Sequence, residues 1–229
     1  MVHSGHIKRT KLCDRKLPDY TKGEEIFNMV SHIVGGAIGV FALVACVIVS
    51  ALHGDAWAVV ASAVYGSSLI LLYTASSVYH GLRPGMAKKV LQVIDHCTIY
   101  FLIAGTYTPI VLTRLRRFSP GWGWGIFGVV WGFAILACVF TAIDLKKYNV
   151  FSMICYIGMG WCIVLAIKPA LACVPMTAIW YILAGGIAYT VGAVFYGIGS
   201  KHRYIHSVFH VFVVIGSALQ LIGILGYII

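Results

Sequence analysis

Charge is what this chain has least of. Asp and Glu number 7 in 229 residues, and charged side chains of both signs make up 10% against 60% apolar residues. That balance excludes a water-soluble domain, whose surface needs far more polar cover. Charge is missing altogether from 26–52, 56–82, 118–143, 148–167, 169–200 and 204–229, and Asp95 alone interrupts 90–113. Each run reaches the roughly 20 residues that a helix needs to cross hydrocarbon. None alternates polar with apolar, which excludes a membrane β-barrel. No C-x-x-C pair occurs among the seven cysteines, so they read as small buried apolar residues rather than disulfides or metal ligands. A basic face interleaved with aromatics is also missing, and with it the case for a nucleic-acid partner. The first apolar run follows a polar tail and is too long for a signal sequence, so no cleavable signal is expected.

What is present is an all-α, polytopic membrane protein of seven transmembrane helices. Residues 1–23 form a charged, mobile tail, and 24–229 a single seven-helix domain. Six basic residues fall in the tail, and seven more follow helices two, four and six, against four on the other side. This excess places the N-terminus in the cytoplasm and the C-terminus outside. It also accounts for the net charge of +10 through topology and anionic headgroups. Pro175 suits the first turn of helix six, leaving 169–174 as a loop. Pro109 is expected to kink or end helix three. "GGAIG", "GWGWG" and "LAGGIAYTVG" let helices approach closely within the chain, a homo-oligomer face being the alternative.

The few polar residues inside the helices are not scattered. Glu25, Asn28, Ser31 and His32 lie near the start of helix one, and Ser76, Tyr79 and His80 close helix two. Asp95 and His96 sit in the second turn of helix three, and His206 and His210 open helix seven. All occupy the cytoplasmic ends. At about 1.5 Å of rise per residue, His80 lies roughly 4–5 Å deeper than Arg83, His210 roughly 10 Å deeper than Arg203, and Asp95 roughly 9 Å from Lys89. Helices two, three and seven can therefore bring these groups to one point.

Three imidazoles with a fourth position open make a catalytic zinc site. His206 and His210, one turn apart, face one way and can chelate, and His80 supplies a third nitrogen. Asp95 fits a carboxylate just outside the ligands that orients water and accepts its proton. Ser76 shares the face of His80. Position 207 is Ser, so the H-E-x-x-H metalloprotease motif is absent. Plainer readings exist for each residue: His32 and His96 as hydrogen-bonded buried histidines, Glu25 as a helix N-terminal charge, Ser76 bonded to its own backbone. They leave the shared depth unexplained, and an unpaired Asp95 in the membrane is costly.

"EIFNMVSH" (25–32), "SSVYH" (76–80), "DHCTIYFLIAGTYTP" (95–109) and "HSVFH" (206–210) resemble, in order and spacing, the hemolysin III branch of the progestin and adipoQ receptor family. The short tail and loops resemble its bacterial members, implying a bacterial cell membrane. The resemblance implies zinc held by His80, His206 and His210, with Asp95 and Ser76 beside it. It further implies a superfamily that hydrolyses lipid acyl chains, notably amide-linked ones, and a branch tied to membrane-lipid homeostasis and to a hemolysin label. A membrane lipid is thus the expected substrate or ligand. The alternatives are a receptor or sensor in which zinc only pins helices, and a cytolytic pore. The pore fits poorly, because no helix carries a polar stripe along its full length and a water-filled route is lined throughout.

Overall fold

The computed structural model describes residues 10–198 and 202–229, so Lys8, Arg9 and Lys201 of the basic count lie outside the described residues. Among the described residues, seven helices are long and apolar enough to cross a membrane: α1 (Lys22–His53), α2 (Ala56–Gly81), α3 (Met86–Phe118), α4 (Pro120–Ile143), α5 (Asn149–Cys173), α6 (Met176–Ile198) and α7 (Ile205–Tyr227). Successive helices neighbour each other, and α7 returns to pack on α1 as well as on α6. The helices with the most enclosed spans are α2, α3 and α7, the three that carry His80, Asp95 and the His206/His210 pair. On α1 the large apolar residues Phe41, Val44 and Ile48 point outward, as a lipid-facing surface requires.

The start of α1 follows from a reciprocal cap. The Thr21 hydroxyl accepts from the Glu24 N–H at 3.2 Å, and the Glu24 carboxylate accepts from the Thr21 N–H at 2.8 Å. Glu24 is buried because it has a second task. Its other oxygen accepts from the Tyr204 N–H at 2.7 Å, in the connection that leads into α7. Tyr204 has φ of 60°, a left-handed conformation uncommon outside glycine. Glu24 thereby ties the entry of α1 to that of α7.

Two proline expectations resolve differently. Pro109 does end the regular part of α3, and the chain continues through a wider π-helical turn over Ile110–Leu115. The loop expected at 169–174 is instead helix: α5 runs to Cys173, leaving Val174 and Pro175 as the connection. Pro169 is tolerated because it falls in the first turn of the helical stretch Ile167–Cys173, where its missing N–H leaves no unfilled bond. That stretch follows a break in α5, a 3-10 segment over Cys162–Ala166. The Tyr107 hydroxyl serves the break from both sides, donating to the Gly160 carbonyl at 2.7 Å and accepting from the Ile163 N–H at 3.1 Å. Backbone groups freed within a membrane need such partners.

The glycine-rich runs pack within the chain, though unevenly. Gly66 of α2 lies against the backbone of Leu43 on α1, and Gly185 of α6 leaves the space that the Gln220 side chain of α7 fills. In "GWGWG" only Gly123 meets a neighbour, while Gly121 and Gly125 face open space.

The tail differs most from expectation. Residues 10–21 pack across the N-terminal face, with a 3-10 turn at Leu12–Asp14 and Arg15 buried. The Thr10 N–H donates to Asp144 in the α4–α5 connection at 2.8 Å. Asp144 also accepts from the N–H groups of Lys146 and Lys147, each at 3.1 Å. Desolvation pushes its pKa up, but these donors, Thr10 foremost, outweigh it and hold the carboxyl below its ordinary range. A carboxyl depressed in the folded state stabilises fully above its unfolded pKa of about 3.9 and ceases to do so as pH falls through the lower folded value. Thermal unfolding in detergent should therefore show Asp144→Asn melting a few degrees below the parent at pH 7, the gap closing as pH falls below the ordinary carboxylate range.

Candidate metal centre

The close of α2 and the opening of α7 meet beside α1. His80, His206 and His210, all buried, each offer a ring nitrogen, and the three nitrogens lie within 4.8 Å of one another. Among the described residues this is the group of His, Cys, Asp and Glu side chains whose geometry could hold a metal ion. A zinc ion bound at about 2.0–2.1 Å by tetrahedral nitrogens separates them by about 3.4 Å. The Nε2 atoms of His206 and His210 stand 3.1 Å apart.

Hydrogen bonding sets which nitrogen faces the cage. His80 Nδ1 is 2.7 Å from Oε2 of Glu25, and a carboxylate only accepts, so Nδ1 carries the proton. That leaves a lone pair on His80 Nε2, which is buried and has no protein partner. His210 Nδ1 is likewise buried without a hydrogen-bond partner. The Asn28 backbone carbonyl on α1 accepts from the Ser31 hydroxyl at 3.0 Å. Nitrogen lone pairs crowded at this spacing repel unless a cation or proton lies between them. The donor set therefore fits a metal ion: neutral imidazoles, converging, with an outer hydrogen bond fixing one of them.

Glu25 is more than a helix-end charge. Its second oxygen pairs with the Lys88 ammonium at 2.7 Å. Lys88 also donates to the Leu82 carbonyl at 2.9 Å, lies over the Tyr79 ring at 5.0 Å, and is buried. It thus stays inside the protein, although it is one of the basic residues that follow helix two. Tyr79 in turn stands edge-on to His80, ring centres 4.6 Å apart. Tyr20 completes the cover, stacked on His206 at 4.9 Å. Neither Lys88 nor Tyr20 was visible as a site residue in the sequence. The one available signal was that a carboxylate so close to buried histidines needs a counter-charge.

The remaining candidates divide. Asp95 falls outside the three-histidine group but lines the same cavity, and the Ser76 hydroxyl is its hydrogen-bond donor. His96 is fully engaged: its Nδ1–H donates to the Gln92 carbonyl at 2.7 Å, and its Nε2 accepts from the Tyr196 hydroxyl at 3.0 Å. It is an ordinary hydrogen-bonded, mostly enclosed histidine and has no nitrogen left for a metal. His32 departs from that expectation. Neither of its ring nitrogens has a hydrogen-bond partner, and it lies stacked on His210 at 3.8 Å and edge-on to Tyr73 at 5.0 Å. It packs as an aromatic wall behind the cage.

From this centre a cavity runs between α3, α5, α6 and α7 toward the opposite membrane face. It reaches from Asp95 and His206 to Tyr107 and Gln220, about 18 Å along α3 and 21 Å along α7 by helical rise. Ile99, Leu102, Ile103, Phe209 and Val213 make its middle apolar. Polar groups also lie deeper than the helix ends. The Tyr73 hydroxyl donates to Ser217 at 2.6 Å, and the Tyr189 hydroxyl bonds the same serine at 2.7 Å.

Fold and site together define a class: a seven-helix membrane protein with a buried histidine cage near one face, opening onto an apolar cavity. Within that class the assignment is specific. The family model "Haemolysin-III related" matches residues 20–221, and the chain belongs to that family. It is 39% identical to "Hemolysin-3" of Bacillus cereus over 206 residues, covering 90% of this chain and 92% of the relative. It is 36% identical to the "Hemolysin-3 homolog" of Bacillus subtilis (strain 168) over 208 residues, 91% and 96% of the two chains. A more distant likeness, 26% over 197 residues, joins it to the human "Monocyte to macrophage differentiation factor", covering 81% of this chain and 78% of that one.

Proposed function

We propose that this protein is a zinc-dependent hydrolase of lipid acyl bonds, amide or ester, working at the cytoplasmic side of a bacterial cell membrane. One observation carries the reading: a three-histidine cage and an Asp95–Ser76 pair open together onto the end of a long apolar cavity. His80, His206 and His210 would hold the ion. When bound, zinc supplies Lewis acidity, polarising a carbonyl and making water acidic near neutral pH.

The chain's own residues supply the rest. Glu25, itself held by Lys88, keeps the His80 ring turned with Nε2 inward. Asp95 takes the proton as water oxygen adds to the acyl carbon, then returns a proton to the leaving nitrogen or oxygen as its bond to that carbon breaks. Ser76 orients the Asp95 carboxylate for both transfers. The apolar sleeve takes the hydrocarbon chain and excludes bulk water, which strengthens the electrostatics around the reacting atoms.

Purified protein incubated with ceramide-like and phospholipid substrates should release fatty acid, and a chelator should stop it. Release that survives both the chelator and His210→Ala would refute the metal centre as its source. Glu25→Ala should weaken zinc binding by about 10–100-fold, read by competition against a chelator of known affinity. Unchanged affinity would remove Glu25 from the site.

A further inference from the structure

The cavity has a second polar end. Gln220 of α7 lines it some ten residues beyond His210, about 15 Å further along the helix. Its side chain is held in place: it fills the space left by Gly185 on α6, and its Nε2 points toward the Ile182 carbonyl at 3.5 Å. Gln220 is only 7% exposed, yet its Oε1 has no hydrogen-bond partner. A buried amide oxygen without a partner is costly, and although the Nε2–H of this amide faces α6, its oxygen has no partner on either helix. Two neighbouring polar groups on the cavity wall are occupied. Thr106 donates to its own helix at the Leu102 carbonyl, and Tyr189 bonds Ser217. The open position on the wall is thus an acceptor, set at a fixed distance from the histidine cage with an apolar sleeve between.

We propose that Gln220 is a second recognition point, which accepts a hydrogen bond from a hydroxyl carried on the ligand's hydrocarbon chain. This rests on the lipid reading above and narrows it to hydroxylated acyl chains. Carbon–carbon bonds of about 1.5 Å in zigzag advance about 1.3 Å each, so about 15 Å places that hydroxyl roughly ten to twelve carbons from the acyl carbon.

The test is displacement of a fluorescent fatty acid from the full chain in nanodiscs, using eighteen-carbon acids. An acid hydroxylated at its twelfth carbon should compete about 3–10-fold better than stearate, the worth of one net hydrogen bond. Gln220→Leu should remove that preference while leaving stearate as good or better. On the unaltered protein, moving the hydroxyl to the third carbon should abolish the gain, a control that does not depend on a variant folding. Equal competition by both acids, or a preference that persists in Gln220→Leu or follows the hydroxyl to any position, overturns the proposal while the lipid reading stands. If neither acid displaces the probe, the lipid reading falls and this proposal falls with it.

Discussion

Replacing any one of His80, His206 and His210 with Ala should strip zinc from the purified protein. Elemental analysis should find close to one zinc per chain in the parent and less than about a tenth of that in each variant after dialysis, since a three-nitrogen site loses both charge transfer and chelation when one donor goes. The three positions are not equivalent in how they fail. His206 and His210 sit one turn apart with Nε2 atoms at 3.1 Å, so removing either destroys the chelating pair on α7. Removing His80 leaves that pair but strands Glu25 and Lys88 against each other beneath an empty pocket. His96→Ala, which deletes a histidine with both nitrogens already bonded, should keep its zinc. A folded, zinc-replete parent preparation with nothing bound at the cage would end the metal reading.

The second large effect separates chemistry from metal binding. Asp95→Asn should retain zinc at the parental level and lose acyl hydrolysis by about 10²–10⁴-fold, the span usual for removing a positioned acid–base group. Asn is close in size and shape, so the cavity wall stays, but it cannot take a proton. Ser76→Ala should cost less, about tenfold, because the carboxylate survives without its hydroxyl donor. If Asp95→Asn instead releases the metal, Asp95 is a ligand and the division of roles is wrong. If it changes neither property, the carboxylate belongs to packing alone.

Much of this architecture could be read without coordinates, for a physical reason. In hydrocarbon the backbone has only helices and closed barrels available, so long uncharged runs translate directly into helices. Depth follows from rise per residue, which is why His80 on α2 and the pair on α7 could be placed at one level from sequence alone. Direction around a helix is harder. His32 and His96 look equivalent as letters, yet one is saturated by Gln92 and Tyr196 while the other stacks bare against His210. Lys88 and Lys89 are adjacent and identical, but α3 turns one inward to Glu25 and leaves the other to donate to the Cys13 carbonyl in the N-terminal segment. Nor could composition reveal that residues 10–21 pack, since a polar, proline-containing stretch has no periodicity to read. Its order comes from partners such as Asp144 and His206, distant in the chain.

The clasp made by Glu24 bears on biogenesis. It joins the entry of α1 to the connection before α7, across 180 positions of sequence, and the cage takes its nitrogens from α2 and α7. While the ribosome is still delivering α3 to α6 into the bilayer, His80 has no companions and the clasp has no second half. A cage that draws nitrogens from both helices is incomplete until α7 inserts, so any ion it holds would be captured only by a fully threaded polypeptide.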